Sequence, residues 1–486
     1  MVHRKASAVL AASAIIALAP SVLAGNPFAK STTTSGGYHT WDADMIDVEH
    51  VSQTGAGVYV AVLDTGLVPE WKEYFPNNRV AQNLGAGFYQ NVTFKAHSTD
   101  KCEIDTEIGQ LKSASYIGSR GSSHGTHVAS TIIGYSYYSN NDATQGYPLP
   151  GIQVRGIAPD ATIIPVKVLA DYQVPAFPQC ATATASQNVV FGTNEMVAAG
   201  INYVTGLKLG VLAGHPVVIN MSLGGDPGEA ISAVEKAAID NAIANGVIVV
   251  AAAGNDGEAG MDSPGSYAPV ISAGSVGWTG EWVPSVGTPP ATGTTRYRMW
   301  WLQNVAGNGA GSAGTLAPPL ITGSGDVAED PGVVADTYVS DFSSRAIGPA
   351  QQLDVLAPGS WVRGPFAGDP GYNHLPWFSH GIGDLLGHNT GNFYYVGGTS
   401  MATPHVVSVA ALMLQKNPTL NQGQVESILK STATPLAASG TQQVWDPFAS
   451  TPAFFAVPWD ATCGADPCDA VGAGLVQADA AITATP

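Results

Sequence analysis

Continuous apolar runs of strand length alternate along this chain with stretches whose apolar residues recur every three to four positions. Residues 57–63, 161–169, 216–222 and 246–252 are runs of the first kind. They read as strands buried on both faces of a parallel sheet. Between the last two, Ile231, Val234, Ala238 and Ala242 define one face of a helix that Asn245-Gly246 stops. A second helix follows Thr193, with Met196, Ala199, Tyr203 and Leu207 on one side and Gly210 at its end. A third runs from Ser400 to about Lys416. A fourth starts at Asn421, whose side chain can cap it, with Gln424 three residues on. Strand–helix–strand alternation predicts an α/β fold: a doubly wound, mostly parallel sheet with helices on both faces. In such sheets, sites form at the carboxyl ends of strands.

Two stretches break the pattern. Residues 277–336, rich in Gly, Pro and Thr, hold Trp278, Trp282, Trp300 and Trp301, and residues 360–391 hold Trp361 and Trp377. Loops of this length are uncommon, and their tryptophans argue against disorder. The organisation expected is an N-terminal signal over residues 1–24, a short flexible segment over 25–40, and one α/β domain over 41–486 that carries both loops as inserts.

The signal reading rests on His3-Arg4-Lys5, an apolar stretch over residues 6–19, and Val22-Leu23-Ala24 before Gly25. At 19 residues, 6–24 approaches membrane-span length, but Pro20 and the small-residue cleavage site favour removal. A secreted product follows, extracellular or periplasmic, with no membrane association after cleavage. The 19 Lys and Arg against 37 Asp and Glu give a net charge of −18, and loss of Arg4 and Lys5 takes it to −20. That balance excludes nucleic acid and anionic membranes as partners. The four cysteines, Cys102, Cys180, Cys463 and Cys468, are expected to be oxidised. Cys463 and Cys468 flank a turn-rich loop, although three pairings remain formally open.

The chemistry lies in short strings at strand and helix ends. Asp64, in Asp64-Thr65-Gly66, follows a buried strand, where a carboxylate can fix the tautomer of an imidazole and stabilise its charged form. Asp-Thr-Gly also marks aspartic proteases, but the second copy they need is absent from this chain. His124, in His124-Gly125-Thr126-His127, opens a helix of small residues and suits a general base. No carboxylate lies between His124 and His127, which removes the zinc-protease motif and leaves His127 a structural role. Ser400, in Gly398-Thr399-Ser400-Met401-Ala402, begins a helix whose positive end favours a developing oxyanion. Pro404 is expected in the first helical turn, where missing N–H groups cost nothing. Asn255, again just after a buried strand, offers an amide donor to the same oxyanion.

Asp, then His, then Ser is the subtilisin order of the triad. With Asn255, these strings resemble the subtilisin-like (S8) serine peptidases over most of the chain from about Trp41 to Ala480. The resemblance implies Asp64, His124 and Ser400 as triad and Asn255 as oxyanion donor. It implies Ser222, Leu223 and Gly224 as an edge that pairs with substrate backbone. Ala252, Ala253 and Gly254 would form the opposite wall of the pocket for the side chain before the scissile bond. The function implied is a secreted serine endopeptidase acting on extended polypeptides through an acyl-enzyme, as a monomer, with no cofactor for catalysis. The family usually carries a domain-sized prosegment, whereas only residues 25–40 lie between signal and protease here. Structural calcium stays open: Asn140-Asn141-Asp142 and residues 326–336 offer oxygen ligands without a recognisable set.

Two alternatives have specific requirements. Sedolisin-like acid peptidases would need Glu and Asp where this chain has His124, and Asp in place of Asn255. A catalytically inactive peptide-binding homologue is at odds with four intact catalytic side chains. Residues 256–264 hold Asp256, Glu258 and Asp262 beside the expected pocket. Carboxylates turned inward there would favour Lys or Arg, and carboxylates turned outward would leave a pocket for large apolar side chains.

Overall fold

The computed structural model describes residues 39–96, 104–119, 123–137, 152–176, 185–279, 282–284, 296–298, 334–366, 379–380, 393–446 and 453–486. The export signal, Cys102, Cys180, residues 140–142 and the greater part of both insert loops lie outside them.

Each of the four apolar runs is a strand: β1 (Tyr59–Asp64), β4 (Thr162–Lys167), β5 (Val217–Met221) and β6 (Val247–Ala252). They belong to a nine-stranded sheet with β2 (Ala86–Ala96), β3 (Ile104–Ala114), β7 (Ile271–Trp278), β8 (Thr337–Val339) and β9 (Val355–Pro358). The order is β8-β7-β6-β5-β1-β4-β2-β3, with β9 also on β7. All pairings are parallel except β2–β3 and β7–β8. β1 is flanked by β4 on one side and by β5 on the other, so the winding reverses there. A crevice at the carboxyl end of β1 is where this topology places a site.

Alternation along each strand explains the continuous apolar runs. Val60 and Val62 of β1 face one core, and Ala61 and Leu63 face the other. β6 divides in the same way, with Ile248 and Val250 opposite Val247, Val249 and Ala251. On the first face pack α1 (His124–Ile133), α4 (Thr399–Lys416) and α5 (Gln422–Thr432); on the second, α2 (Asn194–Leu209) and α3 (Ala233–Ala244).

Local signals set the helix starts. Thr193 accepts from the Met196 amide, Ser232 from Glu235, and Asn421 with Gln424 forms a reciprocal capping box. The apolar faces differ from the sequence reading. In α3, Val234 is 41% exposed, and Ile239 joins Ala238 and Ala242 in the core. In α2, Val197, Ile201 and Val204 face inward, while Ala199, Tyr203 and Leu207 are only partly covered. Both helices have apolar residues on more than one side, so periodicity leaves their rotation open.

Trp278, expected in a loop, ends β7 fully buried, its ring stacked on Trp41 at 6.4 Å between centroids. The β2–β3 hairpin, which no motif announced, closes one sheet edge. Cys463 and Cys468 sit on a two-stranded turn with Cα atoms 5.7 Å apart and their sulfurs in contact. Among the described residues, no helix is long and apolar enough to cross a membrane.

Candidate active site

Four of the expected residues form two contacts at element ends, Asp64 with His124 and Asn255 with the start of the helix that carries Ser400. Asp64 is the last residue of β1 and fully buried, and its Oδ1 accepts from the Thr65 amide at 2.6 Å. His124 is the first residue of α1, and its Nδ1 lies 2.9 Å from both Asp64 carboxylate oxygens. Gly125 allows that approach: a Cβ there would stand 2.6 Å from the Gly66 carbonyl and 3.0 Å from the Asp64 Cβ. The Gly125 amide also donates to Thr65 Oγ1 at 2.9 Å, which ties the helix start to the Asp64 turn.

Burial alone would push the His124 imidazole below its ordinary value. The Asp64 charge and hydrogen bond outweigh it, and the net shift is upward. The imidazole side chain retains 28% exposure and opens into the cleft. His127, one turn on, is fully buried with Nε2 at 3.1 Å from the Val362 carbonyl, in keeping with a structural role.

Ser400 is the second residue of α4 and half-buried. Its Oγ donates to the Ser222 carbonyl at 3.2 Å rather than to an imidazole nitrogen. Contacts between base and nucleophile are often loose before substrate binds. Asn255, exposed beyond the end of β6, accepts from the Thr399 amide at 2.8 Å and from Thr399 Oγ1 at 3.0 Å. With Oδ1 so engaged, the Nδ2 donors remain for a ligand, beside the Ser400 N–H near the start of α4. Pro404 is the sixth helical residue rather than a first-turn one.

Ser222, Leu223 and Gly224 continue past β5, and with His124, Leu169, Phe366 and Val396 they line a cleft of 440 Å³. Ala252, Ala253 and Gly254 close β6, and the Gly254 amide donates to Thr399 Oγ1 at 3.2 Å. Both groups therefore abut the segment that carries Ser400. Sequence reasoning missed Thr399, which joins Asn255 to the helix start, and gave no signal for Ser222 Oγ, which reaches the Ser400 carbonyl at 2.7 Å.

Asp47, Glu49 and His50 are, among the described residues, the one group of potential metal ligands. His50 is already bonded to Glu49 at 3.1 Å, and an imidazole is not a ligand that calcium takes. This trio does not fit a calcium site.

The family model for the subtilase family, peptidase S8, matches residues 55–446. The subtilisin of Bacillus pumilus is 29% identical over 319 residues, covering 66% of this chain and 73% of that protein. Subtilisin E of Bacillus subtilis (strain 168) is 29% identical over 323 residues, covering 66% of this chain and 52% of that protein, so the match spans about half its length. An extracellular serine proteinase of Thermus sp. (strain Rt41A) is 28% identical over 405 residues, 82% of this chain and 62% of that protein. The chain belongs to the subtilase family and is a serine-type endopeptidase.

Proposed function

We propose that this subtilase is exported and that residues 41–486 form a catalytic domain that cleaves extended polypeptides through an acyl-enzyme on Ser400. The observation that carries this reading is the Asp64–His124 contact at 2.9 Å, with His124 lining a cleft together with Ser222, which is hydrogen-bonded to Ser400 at the helix start. His124 takes the Ser400 proton as Oγ attacks the carbonyl, and Asp64 orients the imidazole and balances its charge. The developing oxyanion lies between the Ser400 amide and Asn255 Nδ2. His124 then gives its proton to the leaving amine, and water, activated by the same base, releases the acyl group. Ser222, Leu223 and Gly224 pair with substrate backbone on one side of the scissile bond. Pairing of this kind accepts many sequences. The working form is taken to be a monomer that needs no cofactor for the chemical steps.

A fluorophosphonate probe tests the nucleophile. The intact enzyme is expected to carry the label on Ser400, and the Ser400→Ala variant none. A folded enzyme that stays unlabelled overturns the acyl-enzyme reading. For export, mass spectrometry of material recovered outside the cell should give an N-terminus at Gly25 or beyond, and retention of residues 1–24 argues against it.

A further inference from the structure

The three carboxylates beside the pocket do not behave alike. Glu258 points outward, 56% exposed, and pairs with Arg345 at 2.8 Å. Asp256 is exposed as well. Asp262 is only 7% exposed, and its Oδ1 has no hydrogen-bond partner among the described residues.

Its position follows from the backbone. β5 and β6 are neighbours in the sheet, paired through Met221 and Ala251. Beyond these residues the two chains part, and Asp262 sits in the opening. Its amide donates to the Ala253 carbonyl at 2.9 Å, and Pro227 bridges it from the other side. A Cβ on Gly254 would stand 2.4 Å from the Asp262 carboxyl carbon, and one on Gly224 would stand 2.7 Å from its Cβ. The carboxylate therefore lies between two glycine walls. The same two segments touch the nucleophile's helix start, through Ser222 to Ser400 and Gly254 to Thr399.

The opening adjoins Ser400 through Ser222 and Thr399 through Gly254, and Ser263, next to Asp262, lines the cleft, so the side chain of an acyl group on Ser400 has a route towards it. We infer that Asp262 lies at the base of the pocket for the residue before the scissile bond and selects Arg or Lys there. The inference rests on the acyl-enzyme reading above. The two glycines admit the Asp262 side chain between them, its carboxyl group is hydrogen-bonded to the Asp256 side chain, and its buried Oδ1 has no partner among the described residues. A guanidinium or ammonium would provide donor and counter-charge together. Asp256 and Asp226 add negative charge around the same point. Among the described residues, no ion pair joins Asp226, Asp256 or Asp262 to a Lys or Arg. Burial, then the neighbouring Asp256 and Asp226, raise the Asp262 carboxyl to about 8, which an arriving cation would relieve.

Matched peptides ending in Arg, Lys, Phe or Leu before the leaving group decide the matter. For the unaltered enzyme, kcat/KM for Arg should exceed that for Phe by at least about tenfold, the scale of one charge-assisted hydrogen bond. In Asp262→Asn that ratio should fall at least as far. Equal or faster turnover of Phe or Leu by the unaltered enzyme overturns the inference, whether or not the variant folds. An unchanged ratio in folded Asp262→Asn overturns it too. Fluorophosphonate labelling separates the two levels: a labelled enzyme that prefers Phe has lost only the specificity, and an unlabelled one has lost the mechanism.

Discussion

Ser222 Oγ donates to the backbone carbonyl of Ser400 at 2.7 Å, and that carbonyl is the one Pro404 leaves without its helical partner. Proline at position i removes the N–H that the carbonyl at i−4 would accept. The side chain just beyond the end of one strand thus fills a gap in the helix that carries Ser400, and Asn220 Nδ2 donates to it at 3.0 Å. Ser222→Ala should leave the Ser400 carbonyl unsatisfied in a half-buried setting and cost about 1 kcal/mol or more. Thermal unfolding should show a lower Tm and peptide hydrolysis a lower kcat. An unchanged value of both would mean that solvent replaces the hydroxyl at no cost.

Ser400→Ala and His124→Ala should each remove nearly all peptidase activity, and the double variant should lose little more than either single one. Nucleophile and base act as one unit, so the effects do not add. Steady-state hydrolysis by the three purified variants checks this, and additive losses would separate the two roles.

Asn255→Ala should lower kcat with little change in KM, since the bond it offers strengthens only as the oxyanion forms. The subtilisin precedent for one such donor puts the loss at about 10²–10³-fold. The variant also removes the acceptor for Thr399, so a modest drop in Tm should accompany it. A rise in KM alone would make Asn255 a ground-state contact.

The direction of the His124 shift sets the pH behaviour. The imidazole must be neutral to accept the Ser400 proton, and Asp64 holds its pKa above 6.5. The acid limb of kcat/KM should therefore have its midpoint above 6.5, with activity rising as pH rises through it. In Asp64→Asn the carboxylate's charge is gone and burial remains, so the residual activity should show a lower midpoint. The stability contributed by the charged pair has the opposite trend: full below 6.5, and lost as pH rises through the raised value. Profiles of kcat/KM and Tm against pH on both proteins measure these limbs.

The chain's local patterns were sufficient for the central strands, the helix starts and the order of the catalytic strings. Residues 57–63 or 246–252 can hardly be anything but strands buried on both faces, because apolar residues stand at both parities of a two-residue period. Asn421 with Gln424 announced its own capping box, because every partner lies within one turn. Asp64, His124, Asn255 and Ser400 could be singled out as candidates because each stands at or just beyond an element end with short, specific neighbours. Long-range contacts decided the rest. Val234 and Ile239 are equally apolar, and only the packing of α3 against α2 and the sheet buries Ile239 and leaves Val234 outside. Trp278 reads as a loop residue until Trp41, more than two hundred positions away, stacks on it. Asp256, Glu258 and Asp262 are alike in sequence. Glu258 pairs with the buried Arg345 and keeps its carboxylate largely exposed, while the parting of β5 from β6 encloses Asp262 between Gly224 and Gly254. Periodicity and capping act over a few residues, and burial is settled by whichever distant segments arrive.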